Sequence, residues 1–138
     1  MTVDYRYYPS YLAFYQQTIS QPLAAIDAFI KSEQTFTAGI VSALLGISKR
    51  EVFKLVREQR ITHWDTGTFL KVMTLGSSHV CQFYKREVET GYLEDYAPKD
   101  IAYIYNLDLQ WVSNIFEQMA LSTVKGHEIA DVLAYTIS

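Results

Sequence analysis

The chain has 138 residues and a mass of 15.9 kDa, with 49 % hydrophobic and 20 % charged residues. That is the composition of one globular domain or two small ones. A single cysteine, Cys81, excludes an internal disulfide framework, and His63, His79 and His127 show no metal-ligand spacing. No apolar run approaches the ~18 residues of a membrane-spanning helix.

The start, Met-Thr-Val-Asp-Tyr-Arg-Tyr-Tyr-Pro, is polar and aromatic rather than basic and then apolar. It does not read as a secretory leader, and the expectation is a soluble, cytoplasmic protein. The net charge of −3 argues against a chain that coats nucleic acid non-specifically, because phosphate affinity comes mostly from Lys and Arg. The distribution is uneven. Residues 1–90 hold ten Lys/Arg against eight Asp/Glu (+2), and residues 91–138 hold two against seven (−5). Between Gly46 and Arg60 lie five bases (Lys49, Arg50, Lys54, Arg57, Arg60) and two acids (Glu51, Glu58).

In chain order, Tyr11, Phe14, Tyr15 and Ile19 recur at helical spacing after Pro9. Ser20 is expected to cap a second helix that carries Pro22 in its first turn and Ile26, Phe29 and Ile30 as its apolar stripe. Thr37 precedes a short helix over 38–45, and Ser48 caps another over 49–58. Asp65 or Thr66 opens a helix with Phe69, Leu70, Val72 and Met73. Ser77 or Ser78 begins one that runs to about Thr90 and stops at Gly91. Pro98 opens 98–105, Asp108 caps 109–119, and a last helix holds Ile129, Val132 and Leu133. No stretch alternates long enough for a strand, so the fold class is all-α.

The chain matches itself at an offset of sixty residues. Val41 falls on Ile101, Leu45 on Tyr105, Gly46 on Asn106 and Ile47 on Leu107. Val52 falls on Val112, Leu55 on Ile115, Phe69 on Ile129, Val72 on Val132 and Met73 on Leu133. What repeats is the apolar pattern rather than the identities. Gly46 and Asn106 both tolerate the left-handed backbone of a sharp turn. The expected organisation is an aromatic N-terminal helix (1–19) followed by two helical modules of about sixty residues, 20–76 and 77–138.

The segment Ala38-Gly-Ile-Val-Ser-Ala-Leu-Leu-Gly-Ile-Ser-Lys-Arg-Glu-Val-Phe-Lys-Leu-Val-Arg57 resembles a helix-turn-helix. Val41, Leu45, Ile47, Val52 and Leu55 are placed to lock two helices together. Ser42 is small where the helices cross, and Gly46 turns the chain. Ser48 offers its hydroxyl to the free amides of the next helix. Ser48, Lys49, Arg50, Phe53, Lys54 and Arg57 are left facing outward, on the side that enters a major groove in such modules. With Thr37 they form the expected DNA-binding set, Arg50 being placed for a bidentate guanine contact.

The flanking helices sharpen the comparison. The first motif is followed by Thr66-Gly-Thr-Phe-Leu-Lys-Val-Met-Thr-Leu-Gly76. A second, Lys99-Asp-Ile-Ala-Tyr-Ile-Tyr-Asn-Leu-Asp-Leu-Gln-Trp-Val-Ser-Asn-Ile-Phe116, is followed by Gly126-His-Glu-Ile-Ala-Asp-Val-Leu-Ala134. Over residues 20–138 the chain resembles the Cro/Xre-like phage-repressor helix-turn-helix family, as a tandem repeat. The resemblance implies a sequence-specific regulator of transcription, of phage or bacterial type, that binds double-stranded DNA and is usually a dimer. It departs from the family where a phosphate-touching Gln commonly begins the first helix of the motif: Ala38 and Pro98 stand there. The second outward face, Gln110, Ser113, Asn114 and Glu117, has no cation, so the second module is assigned to packing, dimerisation or partner contact.

Tyr7, Tyr8, Tyr11 and Tyr15, with Tyr5 and Phe14, form an aromatic cluster that either meets a protein partner or closes the core of a small helical domain. Cys81 is expected to be a buried small hydrophobe. Close carboxylate pairs, a Gly-rich phosphate loop and a Ser–His–acid spacing are all missing from the sequence, so neither an enzyme nor a cofactor is expected. The alternative to a DNA-binding regulator is a protein-interaction module on the same frame, such as an anti-repressor that turns its acidic surface to a basic partner.

Overall fold

The structure, a computed structural model, describes residues 11–135. The regular structure of the described residues is helical: α1 (Tyr11–Tyr15), a π-helical turn (Gln16–Ser20), α2 (Gln21–Lys31), α3 (Ala38–Leu45), α4 (Lys49–Glu58), α5 (Thr66–Leu75), α6 (His79–Thr90), α7 (Pro98–Ile104), α8 (Leu109–Gln118), a 3₁₀ turn (Gly126–Glu128) and α9 (Ile129–Ala134). Among them the β content is a single antiparallel bridge between Tyr96 and Val124, with N···O distances of 2.8 and 3.0 Å.

Most helix ends are where the cap chemistry puts them. Thr37 Oγ1 accepts from the Ile40 amide, Ser48 Oγ from Glu51, Asp65 Oδ1 from Thr68 and Asp108 Oδ1 from Trp111. Each satisfies an amide that the first turn of a helix leaves without a partner. Asp65 is reinforced by Thr68 Oγ1, which accepts from the Asp65 amide at 2.9 Å. Ser78 Oγ accepts from the Cys81 amide ahead of α6, which ends before Gly91 at φ 75°.

Ser20 is the exception. It is helical itself (φ −64°, ψ −46°) and its side chain makes no cap bond, so the expected helix start at Ser20 is corrected. Pro22 has no N–H to give to the carbonyl four residues earlier. The wider π turn over Gln16–Ser20 carries the chain past that gap without ending the helix.

The chain divides into two compact units, Gln16–Lys85 and a second made of 11–15 with 86–135 among the described residues. The borders expected from the sequence are 19/20 and 76/77. In the first unit, Ile26, Phe36, Val41, Leu45, Ile47, Val52, Leu55, Phe69, Val72, Met73, Val80 and Cys81 form one buried cluster. Phe36 stacks on Phe69 with ring centroids 4.9 Å apart. In the second, Phe14, Ile101, Ile104, Leu107, Val112, Ile115, Phe116, Val124, Ile129, Val132 and Leu133 are buried. Each fully buried aliphatic or aromatic side chain contributes about 1.5–3 kcal/mol through the apolar area taken from water.

The sixty-residue offset has a backbone counterpart inside each unit. Left-handed residues occur at Gly46 (φ 67°) and Asn106 (φ 55°), and again at Arg60 (φ 54°) and Ala120 (φ 56°). The Ser42 carbonyl accepts from the Ile47 amide, as Ala102 does from Leu107, at 3.2 and 2.8 Å. Val56 accepts from Ile61, as Phe116 does from Leu121, at 2.9 and 2.8 Å. Val41 and Ile101, Leu45 and Tyr105, Val52 and Val112, Phe69 and Ile129, and Val72 and Val132 are all buried.

Candidate nucleic-acid interface

The candidate interface is the outward side of α4, and the α3–turn–α4 segment determines which residues reach it. Gly46, at φ 67° and ψ 34°, closes α3 in a conformation that costs a residue with a Cβ about 1–2 kcal/mol. Its amide and that of Ile47 both give to the Ser42 carbonyl, at 3.0 and 3.2 Å, and the Ser42 hydroxyl donates to the Ile47 carbonyl at 2.6 Å. A small residue at the crossing thus fastens the turn as well as leaving room for it. Val41, Leu45 and Val52 are wholly buried and Ile47 and Leu55 nearly so, which orients α4 about its axis.

With that face inward, Ser48, Lys49, Arg50, Phe53, Lys54 and Arg57 are all exposed, as is Thr37 at the start of α3. Phe53 is 55 % exposed, so it does not tuck beneath α3. Lys49 runs along Gly39, where a side chain on that glycine would lie 3.5 Å from its Cε. Arg50 and Lys54 edge a hollow of about 420 Å³ with Ser48, Glu51, Leu55, Leu75 and Ser77. Among the described residues, no carboxylate lies within ion-pair distance of Lys49, Arg50, Lys54 or Arg57.

Glu51 explains part of that freedom. Its carboxylate accepts the Ser77 amide at 2.8 Å and the Ser77 hydroxyl at 2.6 Å. The acid that the sequence sets beside Arg50 is therefore engaged by the segment leading into α6. Sequence spacing did not reveal this contact, because the two residues are 26 apart.

The corresponding face of α8 is different. Gln110, Asn114 and Glu117 are exposed and Ser113 is half-buried, and Gln110 Nε2 donates to Asn114 Oδ1 at 3.0 Å. The amides satisfy each other along the helix, and Leu109 adds an exposed apolar side chain at its start. The charges follow the units. Residues 16–85 carry eight Lys/Arg and five Asp/Glu (+3), whereas 86–138 carry three and nine (−6).

Of the aromatic cluster, Tyr7 and Tyr8 lie outside the described residues, as does Tyr5. Tyr11 is 2 % exposed and its hydroxyl donates to the Tyr105 carbonyl at 2.7 Å. Tyr15 is half-buried with its ring 5.3 Å from that of Tyr105. Burial raises the phenol pKa of both Tyr15 and Tyr105. Tyr11 thus belongs to the core of the second unit and has almost no surface to offer a partner. Cys81 is fully buried, and burial pushes its thiol up, away from the reactive thiolate.

The sequence reading also missed a set of exposed apolar side chains on the second unit. Val88, Tyr92 and Tyr103 are 56, 92 and 50 % exposed. Tyr103 was legible in principle, because it is the outward residue of α7 between the buried Ala102 and Ile104.

No family model, curated protein or solved structure matches the chain. Among the described residues, no helix is long and apolar enough to cross a membrane.

Proposed function

We propose that the chain is a sequence-specific double-stranded DNA-binding regulator of transcription, of phage or bacterial type, acting in the cytoplasm, that sets α4 in the major groove. The observation that carries this reading is the cationic ridge of α4, without an ion-pair partner among the described residues and held outward by the buried face of Val52 and Leu55. Lys49, Lys54 and Arg57 neutralise phosphates, which supplies most of the affinity. Arg50, in the first turn, gives two parallel N–H groups to guanine O6 and N7, and Phe53 meets a thymine methyl. The hydroxyls of Thr37 and Ser48 accept from their own helices and keep their protons to donate to phosphate.

In this reading the chain is a tandem Cro/Xre-like protein. Its second unit lacks phosphate anchors on α8 and serves dimerisation or contact with another regulatory protein. A two-fold pair places two α4 helices about one DNA turn apart, roughly 34 Å. The charge of −6 on residues 86–138 supports a second reading: a protein-interaction module on the same frame, an anti-repressor that turns its acidic surface to a basic partner and does not bind DNA.

A band shift on a random-sequence duplex pool at about 20 mM salt, where phosphate contacts are least screened, separates the two. Retardation by the wild type, lost in Arg50→Ala/Lys54→Ala, supports the regulator. Absence of any retardation by the wild type rejects it in favour of the second reading.

A further inference from the structure

The acidic unit bears an exposed hollow with apolar and acidic residues around it. The C-terminal end of α6, the chain after it and α7 enclose a hollow of about 350 Å³ lined by Glu87, Val88, Gly91, Tyr92, Tyr96 and Ile104. Its rim is apolar and exposed at Val88 and Tyr92. Glu87 lines the hollow, and Glu89 and Glu94 are close to it in the chain, all three being exposed. Tyr103 stands over Glu89, its hydroxyl donating to that carboxylate. Gly91, at φ 75°, has no atom within 4 Å of where a Cβ would point, so nothing of the chain fills the space beside it.

The α4 ridge is opposite to this surface in the sign of its charge. It projects one exposed ring, Phe53, between Lys49, Arg50, Lys54 and Arg57. A few central anchors seated in a partner's hollow, ringed by contacts that exclude water, carry most of the binding energy of protein interfaces. Opposite charges on the two faces also speed the encounter and fix its register.

We infer that Phe53 of one copy docks in the Glu87–Val88–Tyr92 hollow of a second copy, with Lys54 and its neighbours over Glu87 and Glu89. This head-to-tail contact covers the surface through which the proposed function would act. It rests on the exposure and charge of the α4 ridge and needs no DNA. It deepens the regulator reading by supplying a self-inhibited state that duplex would dissolve.

The test is sedimentation velocity of the full chain without DNA, over a concentration series at about 20 mM and about 500 mM salt. The expected result is a mean mass that rises with concentration at low salt and returns to the monomer at high salt. Phe53→Ala and Glu87→Lys should each weaken association about tenfold or more. Lys54→Glu and Glu87→Lys, each weakly associating alone, should form a heterodimer when mixed, because each keeps the half that the other has lost. A symmetric contact between two α4 helices would give no such complementation. A wild type that stays monomeric throughout overturns the inference, as does association that neither Phe53→Ala nor Glu87→Lys weakens. Because no DNA is present, failure here leaves the regulator reading standing, and failure of the band shift leaves this contact standing.

Discussion

The Glu51 carboxylate of α4 accepts both the amide and the hydroxyl of Ser77, at 2.8 and 2.6 Å. This bond ties α4 to the segment ahead of α6. It also occupies the carboxylate that follows Arg50 in the chain, without removing its charge. Two consequences can be measured separately.

Glu51→Ala removes the acceptor for the Ser77 amide, which water can partly replace because Ser77 is exposed. The expected loss of stability is about 1 kcal/mol, read as a lower urea midpoint at unchanged slope. If α4 binds duplex, the same change raises affinity at low salt, because a negative charge leaves the face that meets phosphate. A stability change below the error of the measurement would contradict the role given to this pair.

Gly46→Ala places a Cβ on a backbone at φ 67°. The space there is open, the closest atom being Ser78 Cβ at 4.0 Å, so the penalty is conformational rather than steric. It should be about 1–2 kcal/mol, and Gly46→Asn should lose less, because Asn tolerates that region. Equal losses in chemical denaturation for the two variants would show that the turn is not what limits the substitution.

Leu45→Ala and Phe53→Ala separate core from surface within one motif. Leu45 is wholly buried and Phe53 is 55 % exposed. The first should lose about 2–5 kcal/mol and the second stay within about 0.5 kcal/mol of wild type. A large loss at Phe53 would place its ring in the core and remove it from both proposed contacts.

These elements also show what the sequence made legible. The α3–turn–α4 segment was readable because each of its signals is local: an apolar stripe, one glycine, and two hydroxyl caps three residues ahead of the amides they bind. The same holds for Asn106 and Asp108 in the second motif. Ser20 misled because Ser followed by Pro is also the pattern of a helix start, and a π turn carries no sequence mark of its own. The Glu51–Ser77 bond and the Tyr11–Tyr105 bond, 26 and 94 residues apart, depend on tertiary packing that periodicity does not encode. The hollow beside Gly91 was illegible for the same reason, being bounded by α6, α7 and the chain between them.

Asp65 gives a pH test. The Thr68 amide bonded to its carboxylate, assisted by the Thr68 hydroxyl and His63, holds its pKa below the usual carboxylate value. A carboxylate whose folded-state pKa is depressed contributes stability that is present above its unfolded value. That contribution is lost as pH falls through the folded one. Asp65→Ala should therefore be less stable than wild type near neutral pH, and the gap should narrow as pH falls below the normal carboxylate range. A gap independent of pH in parallel urea titrations would assign the loss to something other than this cap.

In the proposed function Lys49, Arg50, Lys54 and Arg57 meet DNA phosphates and bases as one ridge. The most direct measurement of this is the salt dependence of duplex affinity by fluorescence anisotropy. The three phosphate contacts of Lys49, Lys54 and Arg57 predict a slope of log affinity against log salt of about −3 per α4 helix, and each of these charges removed should flatten it by about one. A slope near zero, or an Arg50→Ala/Lys54→Ala variant that binds as tightly and as salt-sensitively as wild type, would contradict the account.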